Sequence, residues 1–311
     1  MPIKKYSLTF WLRSILQFKY MNTDIPLIEC TSNRFKKDGI KILSIDDLKN
    51  RDKSERYERP HRLDFYMFVF YTEGKSKHLV DFNWHDINRN TLVYLTPGQI
   101  NAFSFDNESK GFVIIFTKDY LKKQLSRIPK DAMICLFTPH LFRSAFYIPE
   151  KSNTESYIQL LFNEYNTDEP DTNNDHIVDS LYVIIFSKIE QLKTLNALYP
   201  KETDKLDTFL EFLHILETDF SKSRNADYYA KKLNITYQQL NLICKEIVNS
   251  SAKQFIDVFI ITEAKRKLVN SNIKSSELAF SMGFEESTNF IKYFKKNTRL
   301  TPNQFKKRYS E

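Results

Sequence analysis

The chain has 311 residues, of which 41% are hydrophobic and 27% charged, so a folded protein with room for two domains is expected and whole-chain disorder is excluded. Only 5 glycines occur, and neither GxGxxG nor GxxxxGK[ST] is present, which excludes Gly-rich phosphate-binding loops. The formal net charge of +7 is a mild excess that favours a polyanionic partner such as nucleic acid.

The spacing of the cysteines and the hydropathy pattern indicate the cellular compartment of the protein. Cys30, Cys135 and Cys244 are far apart and form no CxxC pair, so free thiols in a reducing cytoplasm are predicted rather than disulfides or a zinc ribbon. No apolar run approaches the ~18 residues that span a bilayer, so no membrane partner is expected.

Residues 1–24 form a basic segment that has some features of a signal peptide. Arg13 and Gln17 interrupt its apolar part, and no small-residue cleavage site follows. The residues that follow Met21 have the composition of an ordinary protein N-terminus. We interpret this segment as an N-terminal extension or a mis-assigned upstream start.

Residues 25–150 have the spacing of short β-strands. Aromatic and β-branched runs alternate with turn signals such as Thr96-Pro97-Gly98. Many short strands at this spacing predict a sandwich or a barrel. The predicted strands cover residues 63–72, 77–82, 91–95, 101–105 and 112–116.

Helical spacing of apolar residues begins near residue 155. Two amphipathic helices are predicted within 151–195, and their apolar faces need a cover. That cover is either the β-domain or a second copy of the chain, so this hairpin is a candidate dimerisation element. Residues 196–205 contain Pro200 and many charges and are predicted as a linker.

From residue 206 to 311 the pattern is helical, and a first helix-turn-helix unit is predicted at residues 225–248. Asn225 and Thr236 are N-cap residues for two short helices. Ala230 is small where the helices cross, and Asn234 tolerates positive φ in the turn. Two residues of the second helix face the core, Leu240 and Ile243.

The same order of cap, small crossing residue and turn residue repeats at residues 275–296. Ser275 or Ser276 is predicted to cap a helix, Ala279 repeats the small crossing residue, and Gly283 occupies the turn four residues later. Two aromatic residues anchor the following helix in the core, Phe290 and Phe294. A second helix-turn-helix unit is therefore predicted.

A long helix at residues 253–271 is predicted to join the two units. A helix-turn-helix places its second helix in the DNA major groove, so two rigidly joined units suit consecutive grooves about 34 Å apart. Residues 265–308 carry 11 Lys and Arg against three Asp and Glu. Such a basic stretch adds salt-sensitive affinity for phosphates.

The second unit also carries a specific residue pattern: Gly283-Phe284, Ser287, Phe290, Phe294-Lys295-Lys296, Thr301-Pro302 and Phe305. With this pattern, the last hundred or so residues resemble the AraC/XylS family of bacterial transcription regulators. The resemblance implies a DNA-binding domain of seven helices with two helix-turn-helix units. The glycine that the family usually has before the Thr-Pro pair is Arg299 here.

A looser pattern upstream resembles the family's cupin-like sensor domain: Pro60-His61-Arg62, Asp64-Phe65-Tyr66, Gly74 and Thr96-Pro97-Gly98-Gln99. Cupins often bind a metal through histidines and a carboxylate, and the candidates here are His61, His78, His85, Asp64 and Asp81.

Two positions of the cupin metal pattern hold other residues in this chain, Leu63 and Asn101. No metal and no cofactor are therefore expected. A metal-dependent cupin enzyme, or a small-molecule-binding protein with a helical accessory domain, is the alternative function.

Positions on the two reading helices predict the DNA contacts. The candidates are Tyr237, Gln238, Asn241 and Lys245 in the first unit, and Glu286, Ser287, Thr288, Asn289, Lys292, Lys295 and Lys296 in the second. Asn and Gln can pair with adenine edges, and Lys reaches guanine or phosphate. The alternative is that these residues form solvated helix faces. Five aromatic residues of the β-domain either line an effector pocket or belong to its core: Phe68, Phe70, Tyr94, Phe103 and Phe105.

The sequence therefore predicts an α+β multidomain protein. A cupin-like β-barrel over 25–150 with trailing helices precedes an all-α domain over 206–311 that holds two helix-turn-helix units. The predicted function is sequence-specific transcription regulation, as an activator that is not an enzyme. The predicted partners are double-stranded promoter DNA, RNA polymerase, a small-molecule effector and a second copy of the chain.

Overall fold

A computed structural model of the chain describes residues 26–28, 39–50, 57–124, 127–128, 144–167, 174–196, 203–270 and 273–310. The predicted N-terminal extension lies outside these residues. The described residues fall into two compact units, one within Pro26–Asn196 and the other within Ala197–Glu311.

The N-terminal unit contains ten described strands: β1 (Leu27–Ile28), β2 (Ile40–Ser44), β3 (His61–Leu63), β4 (Tyr66–Glu73), β5 (Ser76–Val80), β6 (Asn83–Ile87), β7 (Thr91–Leu95), β8 (Ile100–Ser104), β9 (Lys110–Phe116) and β10 (Ala145–Tyr147). They form two five-stranded sheets with the orders β1-β3-β8-β5-β6 and β10-β7-β4-β9-β2. The β1–β3 pair is parallel, and the other described pairs are antiparallel.

Side-chain alternation along the strands sends one face of each sheet into a common core. On β4, Met67, Val69 and Tyr71 point into this core, where they join Phe103 of β8 and Val113 of β9. A short helix, α1 (Ile45–Lys49), closes over it with two buried residues. Burial of this apolar surface is the main stabilising contribution to the unit.

The other face of β4 is covered by two helices, α3 (Thr154–Asn166) and α4 (Asn174–Asn196), which follow the shorter α2 (Lys118–Gln124). The ring centroids of Phe68 on β4 and Phe186 on α4 are 5.2 Å apart. Those of Phe112 on β9 and Phe162 on α3 are 5.3 Å apart. The predicted hairpin of trailing helices therefore packs on the second sheet.

The same alternation separates the five aromatic residues for which an effector pocket and the core of the β-domain were the two alternatives. Phe68 and Phe70 lie on the helix-covered face of β4, and Tyr94 is the cross-strand partner of Phe68. Phe103 and Phe105 instead stack on each other at the inner core, with ring centroids 4.9 Å apart. These five residues cannot line a single pocket, because their strands present them on opposite faces.

Most predicted strands agree with the structure to within about three residues, and β7 matches its predicted range. The Thr96-Pro97-Gly98 turn is present, with φ of 88° at Gly98 and a hydrogen bond of 2.8 Å from its N–H to the Leu63 carbonyl. The strands β1, β2, β6 and β10 were not predicted, and only Leu63 of β3 falls within a predicted range. β6 is mostly exposed and polar, so its sequence lacks the apolar alternation of a half-buried strand.

The C-terminal unit contains seven described helices: α5 (Thr203–Asp219), α6 (Ala226–Lys232), α7 (Tyr237–Val248), α8 (Ala252–Asn270), α9 (Ser275–Ser281), α10 (Ser287–Thr298) and α11 (Pro302–Ser310). Helix α5 begins inside the 196–205 range that was predicted as a linker. The first three residues of α5 (Thr203, Asp204 and Lys205) are polar, so the apolar pattern that starts at Leu206 did not show that the helix begins earlier.

Helix α8 is the predicted connector, and its bounds differ from the prediction by one residue at each end. Its apolar residues occupy both sides of the helix, because it is surrounded by helices of the two units. Phe255 packs against α5, with its ring centroid 5.4 Å from that of Phe209. The other predicted core residues of α8 are buried as well: Ile256, Phe259, Ile260, Leu268 and Val269.

Candidate nucleic-acid interface

The first helix-turn-helix unit consists of α6 and α7 and follows the predicted local signals. The Asn225 side chain accepts a 3.1 Å hydrogen bond from the Asp227 N–H, which caps α6. Ala230 is fully buried at the helix crossing. Asn234 has φ of 55°, the left-handed conformation that this turn requires.

A capping box fixes the start of α7. The Thr236 hydroxyl accepts from the Gln239 N–H at 3.2 Å, and the Gln239 side chain accepts from the Thr236 N–H at 2.8 Å. Leu240 and Ile243 are buried, as predicted, and they fix the rotation of the helix. The opposite face of α7 is therefore presented to solvent in a defined orientation.

The predicted contact residues of α7 are not equivalent. Tyr237, Gln238 and Lys245 are exposed. Asn241 is half-buried, and its Oδ1 accepts a 3.2 Å hydrogen bond from the Ala252 N–H at the start of α8. This bond takes one of the two lone pairs of the amide oxygen, so Asn241 caps the start of α8 and its side chain is held in one orientation.

Leu242 is a surface residue of α7 that the prediction missed. Its side chain is 53% exposed although it is large and apolar. An apolar side chain on a reading helix can contact the methyl group of thymine. Its position beside Asn241 could have been inferred from helical spacing, because Leu240 and Ile243 already define the inner face.

The second unit consists of α9 and α10 and differs from the prediction at its first cap. Helix α9 begins at Ser275, so Lys274 and not a serine is the N-cap residue. The Glu277 carboxylate accepts a 3.3 Å hydrogen bond from the Lys274 N–H, while Ser275 bonds Asn303 of α11. The capping prediction was wrong because the serine hydroxyl is used in a tertiary contact.

The turn of the second unit is built around Gly283, whose φ is 75°. Phe284 follows it and is buried against Phe290 and Tyr293 of α10, with ring centroids 5.3 Å apart in both pairs. Phe290 and Phe294 are fully buried, as predicted. These contacts set the rotation of α10 about its axis.

Most predicted contact residues of the second unit share the exposed side of α10 or precede its first turn. Of these predicted residues, Ser287 is half-buried. The Thr288 hydroxyl donates a 3.2 Å hydrogen bond to the Glu286 carboxylate. The exposed residues are Glu286, Thr288, Asn289, Lys292, Lys295 and Lys296.

Positive charge follows this exposed side of α10. Lys292, Lys295 and Lys296 are exposed on it, and Arg299 occupies the left-handed C-cap position with φ of 64°. The helix that follows carries three more basic residues, Lys306, Lys307 and Arg308. A phosphate backbone alongside α10 would meet several cations at once.

The N-terminal unit holds a chain of buried hydrogen bonds in its core. The His61 Nδ1 lies 2.9 Å from the Arg59 carbonyl oxygen, so this nitrogen donates. The His61 Nε2 therefore accepts from the Asn101 amide at 2.8 Å, and the Asn101 oxygen accepts from the His78 Nε2 at 2.5 Å. The Tyr71 hydroxyl completes the chain by donating to the His78 Nδ1 at 2.9 Å.

All four hydrogen bonds of this series are donated in the same direction, from Tyr71 toward Arg59. Each histidine therefore uses one ring nitrogen as donor and the other as acceptor, which requires both histidines to be neutral. Burial lowers the pKa of His78 to about 3 and also lowers the pKa of His61. All four imidazole nitrogens are engaged in hydrogen bonds. Among the described residues, no group of three or more His, Cys, Asp or Glu side chains could hold a metal ion.

Two further observations concern the other predicted features. Cys244 is a free thiol, buried in α7, and burial raises its pKa to about 12, so it is unreactive at neutral pH. Cys30 and Cys135 lie outside the described residues. In the described ranges, no helix combines the length and hydropathy needed to cross a membrane.

The two helix-turn-helix units and the basic reading helix define a DNA-binding regulator, and comparison with known families agrees. The family model "Helix-turn-helix domain" matches residues 229–308. The family model "AraC-like ligand binding domain" matches residues 46–181. Together the two matches cover more than two thirds of the chain, and the chain belongs to the AraC/XylS family of transcription regulators.

Two curated proteins and one solved structure are similar to this chain over most of their length. The Msm operon regulatory protein of Streptococcus mutans is 23% identical over 78% of this chain and 84% of its own length. The HTH-type transcriptional activator RhaR of Mannheimia succiniciproducens is 20% identical over 80% of this chain and 87% of its own length. The crystal structure of ToxT from Vibrio cholerae O395 covers 80% of this chain and 90% of its own, with 14% identity and a TM-score of 0.44.

Proposed function

We propose that this regulator binds promoter DNA through two consecutive major grooves and activates transcription. The observation that carries the proposal is the pair of helix-turn-helix units, each with an exposed reading helix, within one compact unit. Tyr237, Gln238 and Lys245 contact the first groove, and Thr288 and Asn289 contact the second. Lys292, Lys295 and Lys296 contact phosphates.

The N-terminal unit is proposed to receive a small-molecule effector and to act on DNA binding through the arrangement of units or subunits. Such control requires that the effector bind two arrangements with different affinity. A second copy of the chain and RNA polymerase are the proposed protein partners, and the cytoplasm is the proposed location. A relative that is named a transcriptional activator supports the sign of regulation.

We propose no enzymatic activity for the chain. The alternative function, a metal-dependent cupin enzyme, needs free imidazole nitrogens. His61 and His78 have their nitrogens occupied by Arg59, Asn101 and Tyr71 in one continuous chain of hydrogen bonds.

Selection of bound fragments from the source genome tests the proposed function directly. The full-length protein is expected to enrich a small set of promoter fragments. Their affinity should fall steeply between 50 and 200 mM salt, by about 10-fold for every two phosphate contacts that the complex makes. A flat salt response, or enrichment without sequence preference, would contradict the proposal.

A further inference from the structure

The loop at residues 220–225, which joins α5 to α6, connects the two helix-turn-helix units independently of α8. On one side it belongs to the first unit. The Tyr229 hydroxyl of α6 donates to the Ser223 carbonyl at 2.6 Å. The buried Asp219 carboxylate, just before the loop, accepts from Tyr228 at 2.8 Å and from Lys232 at 2.5 Å.

On its other side the loop touches the turn of the second unit. The Arg224 Nη1 donates to the Gly283 carbonyl at 2.9 Å, and the guanidinium lies 3.8 Å from the centroid of the Phe284 ring. Gly283 packs directly on the loop backbone, since a Cβ at this position would lie 1.7 Å from the Ser221 carbonyl oxygen. The contact thus combines a hydrogen bond, a cation–π contact and close backbone packing.

The contact continues into the second reading helix. The Phe284 ring lies against Phe290 and Tyr293 of α10. The Tyr293 hydroxyl in turn donates to the Asp257 carboxylate of α8 at 2.7 Å, and Lys253 pairs with the same carboxylate. A closed ring of contacts therefore runs from α6 through the loop to α10 and back through the connector.

A single helix that joins two modules leaves them free to bend and twist about its ends. A second contact between the modules removes that freedom. We propose that Arg224 is a positioning residue that fixes the spacing and phase at which the two reading helices meet DNA. The inference rests on the proposed reading of two grooves, and it assigns spacing selectivity to a residue that lies outside both reading helices.

The test is selection from a random DNA pool with the full-length protein and two variants, Arg224→Ala and Arg224→Met. The methionine keeps apolar packing on Phe284 but removes the hydrogen bond and the charge. Wild type is expected to select two sequence boxes at one spacing, about 10 base pairs between centres. Both variants should select the same boxes over a spread of spacings. The affinity ratio between the best site and a site with one inserted base pair should fall about tenfold.

Lys231→Ala is the matched control, because it removes an exposed cation of the same unit whose described partner is Asp227 at 2.8 Å. This variant should keep the narrow spacing. Unchanged spacing selectivity in Arg224→Ala and Arg224→Met would overturn the inference while leaving the two-groove function intact. If wild type selects only one box, the two-groove function itself fails, and the inference fails with it.

Discussion

Asn289 and Lys292 lie on the exposed face of α10, three residues apart, where a base edge and a phosphate can be reached from one helix. Asn289→Ala is expected to weaken binding to the selected site by about 1–3 kcal/mol, because an amide can pair at two points with adenine. Binding to unrelated DNA should hardly change. Titration of both DNAs by fluorescence anisotropy measures the difference.

Lys292→Ala is expected to weaken binding to all DNA sequences and to reduce the slope of log affinity against log salt by about 1. Lys110→Ala serves as the charge-matched control, since Lys110 is exposed on β9 of the N-terminal unit and pairs with Glu73 there. If Asn289→Ala and Lys292→Ala bind as wild type does, α10 is not a reading helix.

His78 gives the N-terminal unit a predictable dependence on pH. Its folded-state pKa is about 3, whereas the unfolded chain has the ordinary value of 6.5. Below pH 6.5 the unfolded chain gains a proton that the folded chain does not, so stability falls as the pH falls toward 3. At pH 5 the loss is about 2 kcal/mol relative to neutral pH. His61 adds to it with the same sign.

Urea unfolding at pH 7 and pH 5 measures this loss, with Trp84 as the fluorescent reporter within the N-terminal unit. The titratable groups around His78 are His61, His85 and Tyr71. His78→Gln keeps a donor for the Asn101 oxygen but cannot titrate, so its pH dependence should be smaller. Equal pH dependence in the variant and in wild type would show that His78 is not the responsible group.

At the scale of elements, the two turns provide a matched pair. Asn234 and Gly283 occupy the same position in their units, with φ of 55° and 75°. Asn234→Ala is expected to cost about 1 kcal/mol of stability, the penalty of a left-handed alanine. Gly283→Ala should cost more, because its Cβ would also meet the Ser221 carbonyl oxygen at 1.7 Å.

Helical circular dichroism during urea unfolding measures both effects. Asn234→Gly serves as the control and should be close to neutral, since glycine tolerates this φ without strain. Equal losses for Asn234→Ala and Gly283→Ala would contradict the close packing of the second turn on the 220–225 loop.

The helix-turn-helix units could be predicted from sequence because their signals are local. Positive φ at Asn234 and Gly283 and the cap at Asn225 depend on residues within one turn of each other. The hydrogen bond between Asn241 and Ala252 joins residues eleven positions apart, and that between Arg224 and Gly283 joins residues 59 apart. No periodicity predicts such pairs. The directed chain through His61, Asn101 and His78 was missed for the same reason.

At the scale of the whole molecule, α3 and α4 present apolar residues on the side away from the sheet. Phe186 of α4 packs on Phe68, whereas Ile177 and Ile184 are 44% and 40% exposed and seven residues apart on the same helix. Seven residues are two helical turns, so the two isoleucines share one stripe. This stripe is the surface on which the proposed homodimer would form, with each copy using the same residues.

Ile184→Lys is expected to convert the dimer into a monomer, because two symmetry-related lysines would face each other where isoleucines met. Sedimentation velocity of the full-length protein at micromolar concentration measures the change. Gln159→Lys adds the same charge at an exposed position of α3 and should leave the dimer intact.

A wild-type protein that is monomeric under these conditions would remove the homodimer from the proposed function. A dimer that survives Ile184→Lys would place the interface elsewhere. The DNA-reading helices belong to the C-terminal unit. A monomeric Ile184→Lys variant should therefore bind a single site as wild type does, and it should lose affinity only for DNA that carries two sites.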